Sequence, residues 1–322
     1  MTWPLMAAGA AGVIGGGLAL FSGVTARWFE AAVPRDGKLI EVGGNRIHYV
    51  DKGSGPPIVM IHGLAAQLRS FAGALVDDLA KDYRVILVDR PGSGYSVRAP
   101  GAAARLGVQA EAIAGLIRKL GLERPLLVGH SLGGALALAV ALDHPEVVGG
   151  LALIAPLTQL QDKPPPEFAG LEIRSPAMRK LVAWTIATPV AMAKAEATLR
   201  AVFHPEPVPA DYATAGGGLL AMRPGNFCAS SADLCEVNDD LPGMVERYGS
   251  LSIPVSILYP RGDNLLSPAL HGEQTAGEIE GAEIELVEGG HMIPFTQPEL
   301  TARWIRKAAA RGAAPDARSA AG

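Results

Sequence analysis

The 322-residue chain is poor in cysteine, since Cys228 and Cys235 are its only two, and this number excludes a disulfide framework. The pair does not form a C-x-x-C motif, and no two histidines at ligand spacing lie beside it. A structural zinc site is therefore not expected. Two small core thiols and one local disulfide both fit the spacing, so the redox compartment stays open.

The sequence also lacks a Lys/Arg cluster long enough to follow a phosphate backbone, and its formal net charge is −4. Both features argue against nucleic acid as a partner. Apolar residues make up 49% of the chain and charged residues 19%, which is typical of a folded protein with a large core. The length is compatible with an α/β enzyme built around a single sheet.

Charge is absent from the N-terminus, where no charged side chain occurs before Arg27. Residues 5–25 read LMAAGAAGVIGGGLALFSGVT, a run that could cross a hydrocarbon core of about 30 Å as a helix. We expect segment 1–34 to be a single membrane anchor, although its six glycines make it only mildly hydrophobic. The small residues at 24–26 also resemble a cleavage site, and a soluble appendage is the third reading.

The location of the protein depends on which reading of this segment holds. An uncleaved anchor makes the protein membrane-associated through residues 5–25, and a cleaved signal makes it secreted or periplasmic. Arg27, Arg35 and Lys38 follow the segment and favour a cytoplasmic position by the positive-inside rule. Three charges do not decide the side of the membrane, and the sequence does not indicate an oligomeric state.

Apolar runs alternate with helical patterns in residues 35–155 and again in 251–311. A β-hairpin is predicted at 38–51 about Gly43-Gly44. Buried strands are predicted from apolar runs at 58–62, 84–89, 126–129, 151–155, 253–259 and 282–287. Helices are predicted at 70–81, 108–120 and 132–144. This alternation predicts an α/β fold in which a mostly parallel twisted sheet is wrapped by helices.

The alternation breaks at residues 156–250, which contain no clear strand, several Pro-rich stretches and helical runs. The longest helical run is Met178–Phe203. We therefore predict a helical lid inserted into one sheet domain. Residues 312–322 are rich in Ala and Gly and are predicted to form a disordered tail.

Ser131 is the candidate nucleophile, because Gly129-His130-Ser131-Leu132-Gly133 is a G-x-S-x-G motif. The motif directly follows a predicted buried strand and directly precedes a predicted helix. This context is typical of a nucleophile elbow, a sharp turn that holds the hydroxyl clear of the sheet. A serine outside such a context is more often a helix N-cap.

A serine needs a base to take its proton, and His291 in Gly289-Gly290-His291 follows the last predicted strand. Asp263 follows the preceding strand and is the candidate acid that orients the imidazole. Residues 155–161, the other place where such an acid could lie, contain no carboxylate. The order Ser, Asp, His and the position of all three at strand carboxyl ends fit an α/β active site.

The acyl-transfer intermediate requires two backbone N–H donors for its oxyanion. The amide of Leu132, directly after the nucleophile, is one candidate. The amide of Leu64, in His62-Gly63-Leu64 after an earlier strand, is the other. His62 is expected to hold this loop rather than to react, and His130 to line the elbow. This chemistry requires neither a metal nor a cofactor.

Five motifs, in this order along residues 38–310, resemble those of the α/β-hydrolase superfamily. They are His62-Gly63, the turn Asp89-Arg90-Pro91-Gly92-Ser93-Gly94-Tyr95-Ser96, Gly129-His130-Ser131-Leu132-Gly133-Gly134, Arg261-Gly262-Asp263 and Gly290-His291. The resemblance implies the fold and the catalytic triad but does not identify a substrate, and no substrate-binding residue can be named from it.

Three functions follow from this resemblance. Ser131 disfavours dehalogenases and epoxide hydrolases, relatives that use aspartate at that position. His130 before the serine and Met292 after the histidine look more like esterases and monoacylglycerol-type lipases than carbon–carbon bond hydrolases, which as a family carry Asn and Trp there. We expect a serine hydrolase that cleaves carboxylic esters, including lipid-like or acyl-chain substrates, through an acyl-enzyme. A carbon–carbon bond hydrolase of ring-cleavage products and a non-catalytic, membrane-tethered binding protein are the alternatives.

Overall fold

A central sheet organises the structure, a computed structural model that describes residues 3–71 and 73–313, with side chains at 12–71 and 73–312. Within these residues eight strands form one sheet in the order β1-β2-β4-β3-β5-β6-β7-β8. The strands are β1 Lys38–Val42, β2 Asn45–Lys52, β3 Pro57–Ile61, β4 Arg84–Val88, β5 Leu126–His130, β6 Gly150–Ile154, β7 Val255–Pro260 and β8 Glu283–Val287. The pairs β1–β2 and β2–β4 are antiparallel, and every other pair is parallel.

Helices cover both faces of this sheet. The helices of the described chain, including those that do not touch the sheet, are α1 Trp3–Ala32, α2 Gly73–Leu79, α3 Leu106–Lys119, α4 Leu132–Asp143, α5 Pro176–Val182, α6 Thr188–Phe203, α7 Pro224–Val245, α8 Thr275–Glu278, α9 Ile293–Thr296 and α10 Pro298–Ala313. One core layer packs α3, α4 and α7 on the sheet, and the other packs α2 and α10 on the opposite face. The predicted mostly parallel sheet wrapped by helices is confirmed.

Burial explains why the central segments adopt these elements. Strands β5 and β6 are buried along their whole length, as expected for continuous apolar runs that have helices on both faces. Helix α4 is apolar all round, and its residues from Leu132 to Ala141 are buried between the sheet and neighbouring helices. The edge strand β8 is only half-buried. The most buried strands therefore lie at the centre, where the site is built.

Residues 156–250 leave the sheet after β6 and return at β7, and the described chain has no strand between them. Helix α5, a π-helical turn at Ala183–Ala187 and helix α6 follow one another without a break, which corresponds to the predicted run at 178–203. Short 3₁₀ segments at Pro166–Leu171 and Gly218–Met222 precede α5 and α7. We call residues 156–250 the lid.

Helix α1 is thirty residues long, and its second half packs on the lid. Its buried side chains there are those of Ser22, Thr25 and Phe29, and Val33 just beyond it is buried too. Among the described residues, however, no helix is both long enough and apolar enough to span a bilayer. The membrane span predicted at 5–25 is thus not supported.

Two smaller expectations concern the cysteines and the C-terminus. Cys228 and Cys235 both lie on α7 and are both free thiols, so the local disulfide that the spacing allowed is not formed. The first two residues of the predicted disordered tail, 312–313, continue α10. The rest of that tail, 314–322, lies outside the described residues.

Candidate active site

Ser131 lies in the sharp turn between β5 and α4 with φ 55° and ψ −123°. A positive φ is strained for a residue with a side chain, and such strain persists only where the surroundings enforce it. A Cβ on Gly133 would lie 2.1 Å from the Ile61 carbonyl oxygen, and one on Gly129 would lie 2.5 Å from the Gly133 carbonyl oxygen. The two glycines of the motif are therefore required by crowding, and the predicted elbow is present.

Asp263 and His291 meet at the carboxyl edge of the sheet, beyond β7 and β8. The Oδ2 atom of Asp263 lies 2.7 Å from His291 Nδ1, and both side chains are buried. The other carboxylate oxygen, Oδ1, accepts hydrogen bonds from the amides of Leu265 and Leu266 at 2.9 and 3.1 Å. With Oδ1 fixed in this way, the carboxylate presents Oδ2 to Nδ1, which leaves Nε2 as the basic nitrogen.

His130 connects the nucleophile elbow to the histidine loop. Its Nε2 atom donates a hydrogen bond of 2.8 Å to the carbonyl oxygen of His291, and the two rings are 4.9 Å apart between centroids. Burial lowers the pKa of His130 to about 3, so the ring is neutral at ordinary pH. Ser131 and His291 therefore lie at the same edge of the sheet.

Among the hydrogen bonds of the described residues, none joins the Ser131 hydroxyl to His291. Bonds between a catalytic serine and its base are often long without substrate and tighten when substrate binds. The structure thus brings the three predicted triad residues to one place, with the Asp–His contact made, and their catalytic role stays a prediction.

The loop after β3 lies against the nucleophile, as the oxyanion-hole prediction requires. A Cβ on Gly63 would approach Ser131 Cβ to 3.0 Å and Oγ to 3.4 Å. Within the described residues, neither the Leu64 amide nor the Leu132 amide donates a hydrogen bond to another group. Both N–H groups are thus available to a ligand, and the Leu132 amide is also at the positive end of α4.

His62 and Arg90 support the loop after β3, residues 62–67, which we call the oxyanion loop after its predicted role. The Arg90 amide donates to His62 Nε2 at 3.0 Å, so His62 carries its proton on Nδ1 and donates it to the Gly63 carbonyl at 2.9 Å. Burial lowers the pKa of His62 to about 4, which keeps the ring neutral. The Arg90 guanidinium donates to the carbonyls of His62 and Gly63, each at 3.1 Å. His62 is structural, in agreement with its predicted role.

Arg90 is fully buried, and its charge is balanced by a residue of the lid. Its Nη1 atom lies 2.7 Å from Asp233 Oδ2 on α7, and Arg98 contacts the other oxygen of the same carboxylate. Gln67, three residues after Leu64, donates from Nε2 to the Gly216 carbonyl of the lid at 2.9 Å. The lid thus contacts the oxyanion loop both directly and through Arg90.

Asp89 makes the turn that follows β4 rigid. This buried carboxylate accepts hydrogen bonds from the amides of Leu68 and Tyr95, each at 2.8 Å, and lies 2.7 Å from His48 Nδ1. A Cβ on Gly94 would overlap the Asp89 carboxylate at 2.0 Å. The segment 89–96 is therefore a structural turn beside the site, as its sequence indicates.

The sequence did not indicate the supporting contacts made by Asp233 and by Glu206, a lid residue that contacts Gly290. Both join the lid to loops more than 80 positions away in the chain. No local periodicity or motif marks such a contact. The one available signal was Arg90 itself, a charged residue directly after a predicted buried strand, which requires a buried counter-charge.

Comparison with known proteins supports the fold. A family profile described as the alpha/beta hydrolase fold matches residues 56–191. A 2-hydroxymuconate semialdehyde hydrolase of Pseudomonas sp. (strain CF600) is 38% identical over 123 residues, which are 38% of this chain and 44% of that protein. The match therefore spans less than half of that relative's length.

Two solved structures of low sequence identity share the architecture. A thermophilic esterase from Thermogutta terrifontis superposes with a TM-score of 0.69 at 22% identity, covering 86% of this chain and all of that one. A membrane phospholipase A superposes with a TM-score of 0.63 at 23% identity and covers 96% of both chains. At these identities the likeness concerns the fold alone.

Proposed function

Because the chain has the α/β-hydrolase fold, we propose that it is a serine hydrolase that cleaves carboxylic esters through an acyl-enzyme intermediate. The observation that carries the proposal is the 2.7 Å contact between Asp263 and His291 beside Ser131, which is held at a positive φ. A buried acid, an imidazole oriented by it and a hydroxyl on a strained turn are the elements of acyl transfer.

The proposed reaction uses each of these groups in turn. Ser131 Oγ attacks the ester carbonyl carbon while His291 Nε2 takes the hydroxyl proton. The amides of Leu64 and Leu132 stabilise the oxyanion, and collapse of this intermediate breaks the bond to the alcohol, which receives the proton from His291. A water molecule, deprotonated by His291, then attacks the acyl group and releases the acid with the serine restored.

A second candidate is hydrolysis of a carbon–carbon bond. It is favoured by the 38% identity over 123 residues to a 2-hydroxymuconate semialdehyde hydrolase. The ester reading is favoured by His130 and Met292, the residues before the serine and after the histidine. The two reactions share the same nucleophile region, so a substrate comparison has to decide between them.

We further propose that the substrate carries an acyl chain and that the protein works at a membrane surface. On α1, the polar Ser22 and Thr25 are buried against the lid, whereas Phe21, Val24 and Trp28 are exposed. On a helix that faces water, the polar residues are exposed and the apolar residues are buried. One structural neighbour, which covers 96% of both chains, is named a membrane phospholipase A, and that name is compatible with an acyl-chain substrate at a membrane.

The lid extends the same apolar surface. Trp184 lies close to Gly23 of α1, since a Cβ on that glycine would be 3.7 Å from the Trp184 ring. We define the apolar surface as the exposed large hydrophobic residues of α1 and of the lid helices. They are Val13, Ile14, Leu20, Phe21, Val24, Trp28, Met178, Leu181, Trp184, Ile186, Val190 and Met192. Exposed patches of this kind mark contact sites for proteins or membranes.

The test uses the full chain and a panel of p-nitrophenyl esters from acetate to palmitate, with 2-hydroxymuconate semialdehyde as the carbon–carbon substrate. Ser131→Ala should lose roughly 10⁴-fold to 10⁶-fold of kcat and all labelling by a fluorophosphonate probe. Ser252→Ala, which changes an exposed serine, is the matched control and should keep both.

Each outcome of this test has one meaning. A higher kcat/KM on the semialdehyde than on every ester would favour the second candidate. Labelling that persists in Ser131→Ala would show that another residue is the nucleophile. A folded wild type that neither reacts with the probe nor turns over any substrate would support a non-catalytic binding protein.

A further inference from the structure

A short segment of the lid touches both loops that carry the Asp–His pair. The carbonyl oxygen of His204 would lie 2.1 Å from a Cβ on Gly290, next to His291. The ring of Pro205 would lie 3.1 Å from a Cβ on Gly262, next to Asp263. Residues 204–206 therefore pack directly against the positions beside both catalytic candidates.

Glu206 makes the polar contact in this interface. Its Oε1 atom accepts a hydrogen bond of 3.1 Å from the Gly290 amide and one of 3.3 Å from Gln297 Nε2. Gln297 also donates to the Glu288 carbonyl at 3.0 Å, so the same side chain braces the start of the loop. Glu206 is the only carboxylate among the described residues that accepts a hydrogen bond from the backbone of this loop.

The geometry of the loop leaves the carboxylate little freedom. Its second oxygen, Oε2, is buried and has no hydrogen-bond partner among the described residues. The carboxylate also packs closely on the loop, since a Cβ on Gly290 would lie 2.7 Å from Oε2. A bond from a backbone amide to an ionised acceptor is also stronger than a neutral one.

The two loops respond together because they are bonded to each other. The Gly262 amide donates to the Gly289 carbonyl at 2.9 Å, and the Arg261 amide donates to the Val287 carbonyl at 2.8 Å. His130 holds the other side of the loop through the His291 carbonyl. The backbone about His291 is thus held by two side chains, Glu206 of the lid at the Gly290 amide and His130 of the elbow at the His291 carbonyl.

We propose that Glu206 is a positioning residue, which holds the loop of His291 in its productive place from the lid. The inference rests on the proposed hydrolase function. Its consequence is that the lid is part of the catalytic support, so that displacement of residues 204–206 lowers turnover on every substrate. A lid that acts only as a cover would instead change which substrates enter.

The test measures kcat and KM of the full chain on p-nitrophenyl acetate, butyrate and octanoate. Glu206→Ala removes the acceptor, and Glu206→Asp keeps the charge but shortens the side chain by one methylene. Both should lower kcat roughly 10-fold to 100-fold on all three esters with KM little changed, because small displacements of a catalytic group cost about this much. Glu206→Gln, which retains an acceptor oxygen, should restore kcat to within about 3-fold.

Glu196→Ala is the matched control, since this glutamate is exposed on α6 of the same lid and its one ion pair within the described residues is with Arg200. It should leave kcat unchanged. Melting temperatures of all variants identify any loss of fold, and Glu206→Asp decides the question if Glu206→Ala does not fold.

Wild-type kcat in Glu206→Ala or in Glu206→Asp would overturn the positioning role, and so would a change confined to KM on the octanoate ester. An unreactive wild type would instead defeat the proposed function, so the two failures are distinguishable.

Discussion

At the scale of single residues, Asp263 is held through one oxygen and holds His291 through the other. The amides of Leu265 and Leu266 fix Oδ1, and the Nδ1–H of His291 donates to Oδ2. This division of roles makes the carboxylate an orienting group whose two oxygens are not interchangeable. Its effect on catalysis should therefore depend on which atom faces the imidazole.

Asp263→Asn should lower kcat roughly 10⁴-fold with little change of structure. The amide oxygen can keep the two backbone bonds, so the NH₂ group would face Nδ1 and favour the tautomer with its proton on Nε2. Such an imidazole cannot accept the proton of Ser131. The measurement is kcat on p-nitrophenyl butyrate, and a full rate in this variant would mean that another carboxylate serves as the acid.

Three buried histidines should make the protein sensitive to acid. The pKa of His62 is lowered to about 4, that of His130 to about 3 and that of His271 to about 4, in each case mainly by burial. For His271, hydrogen bonding also opposes protonation of the ring, because Nδ1 accepts hydrogen bonds from the amides of Thr158 and Gln159.

Below a pH of about 6.5 the unfolded chain binds protons at these positions while the folded chain does not, so stability falls as the pH falls. Each histidine should remove about 1.4 kcal/mol per pH unit from the free energy of unfolding until its folded-state pKa is reached. His48, whose pKa is raised through Asp89 despite its burial, acts in the opposite direction. Urea unfolding at pH 7.5, 6.5 and 5.5 measures the slope, and equal stability at all three would contradict the prediction.

At the scale of elements, the lid helix α7 is joined to the core by an ion pair without access to water. Asp233 on α7 contacts Arg90, whose side chain is fully buried, and also Arg98. Arg90 in turn bonds to the two carbonyls that precede Leu64. The contact therefore links the position of a lid helix to the shape of the oxyanion loop.

Asp233→Ala should lower the free energy of unfolding by about 3–5 kcal/mol, because it leaves the Arg90 charge buried without its partner. It should also lower kcat, since the oxyanion loop loses its support. Asp239→Ala on the same helix is the control, because that aspartate is exposed and its ion pair with Arg174, at 3.8 Å, is a long surface contact that contributes little. Equal stability of the two variants would mean that solvent reaches Arg90.

The elements of the sheet domain were predictable because each is encoded locally. Strand β5 is a continuous apolar run directly before a G-x-S-x-G motif, and the hairpin β1–β2 turns at Gly43-Gly44. The strand order could not be predicted, since β3 pairs with both β4 and β5 through contacts that no run of residues specifies. The partners of Asp233 and Glu206 could not be predicted either, because they depend on how the lid packs on the sheet domain.

At the scale of the whole molecule, the apolar surface holds twelve of the fifteen exposed large hydrophobic residues of the described chain. It combines α1 with the lid, and the Glu30–Arg223 ion pair, 2.7 Å long, fastens the end of α1 to the start of α7. Because Phe29 and Val33 are also buried, removing residues 1–34 would expose part of the lid. Function should therefore be tested on the full chain.

The full chain should sediment with vesicles of phosphatidylcholine, because the apolar surface would leave water on binding. Val24→Asp on α1 and Leu181→Asp on the lid should each weaken binding about tenfold or more, since each replaces an exposed apolar side chain, worth about 1.5–3 kcal/mol when fully buried, by a charge. Val108→Asp on α3 is the matched control, because this exposed valine is not part of the apolar surface.

Binding that is equal in all four proteins would place the contact elsewhere, and no binding at all would mean that the surface meets something other than lipid. In that case sedimentation velocity tests whether the surface binds a second copy of the chain. If it does, the wild type and Val108→Asp should self-associate, whereas Val24→Asp and Leu181→Asp should stay monomeric.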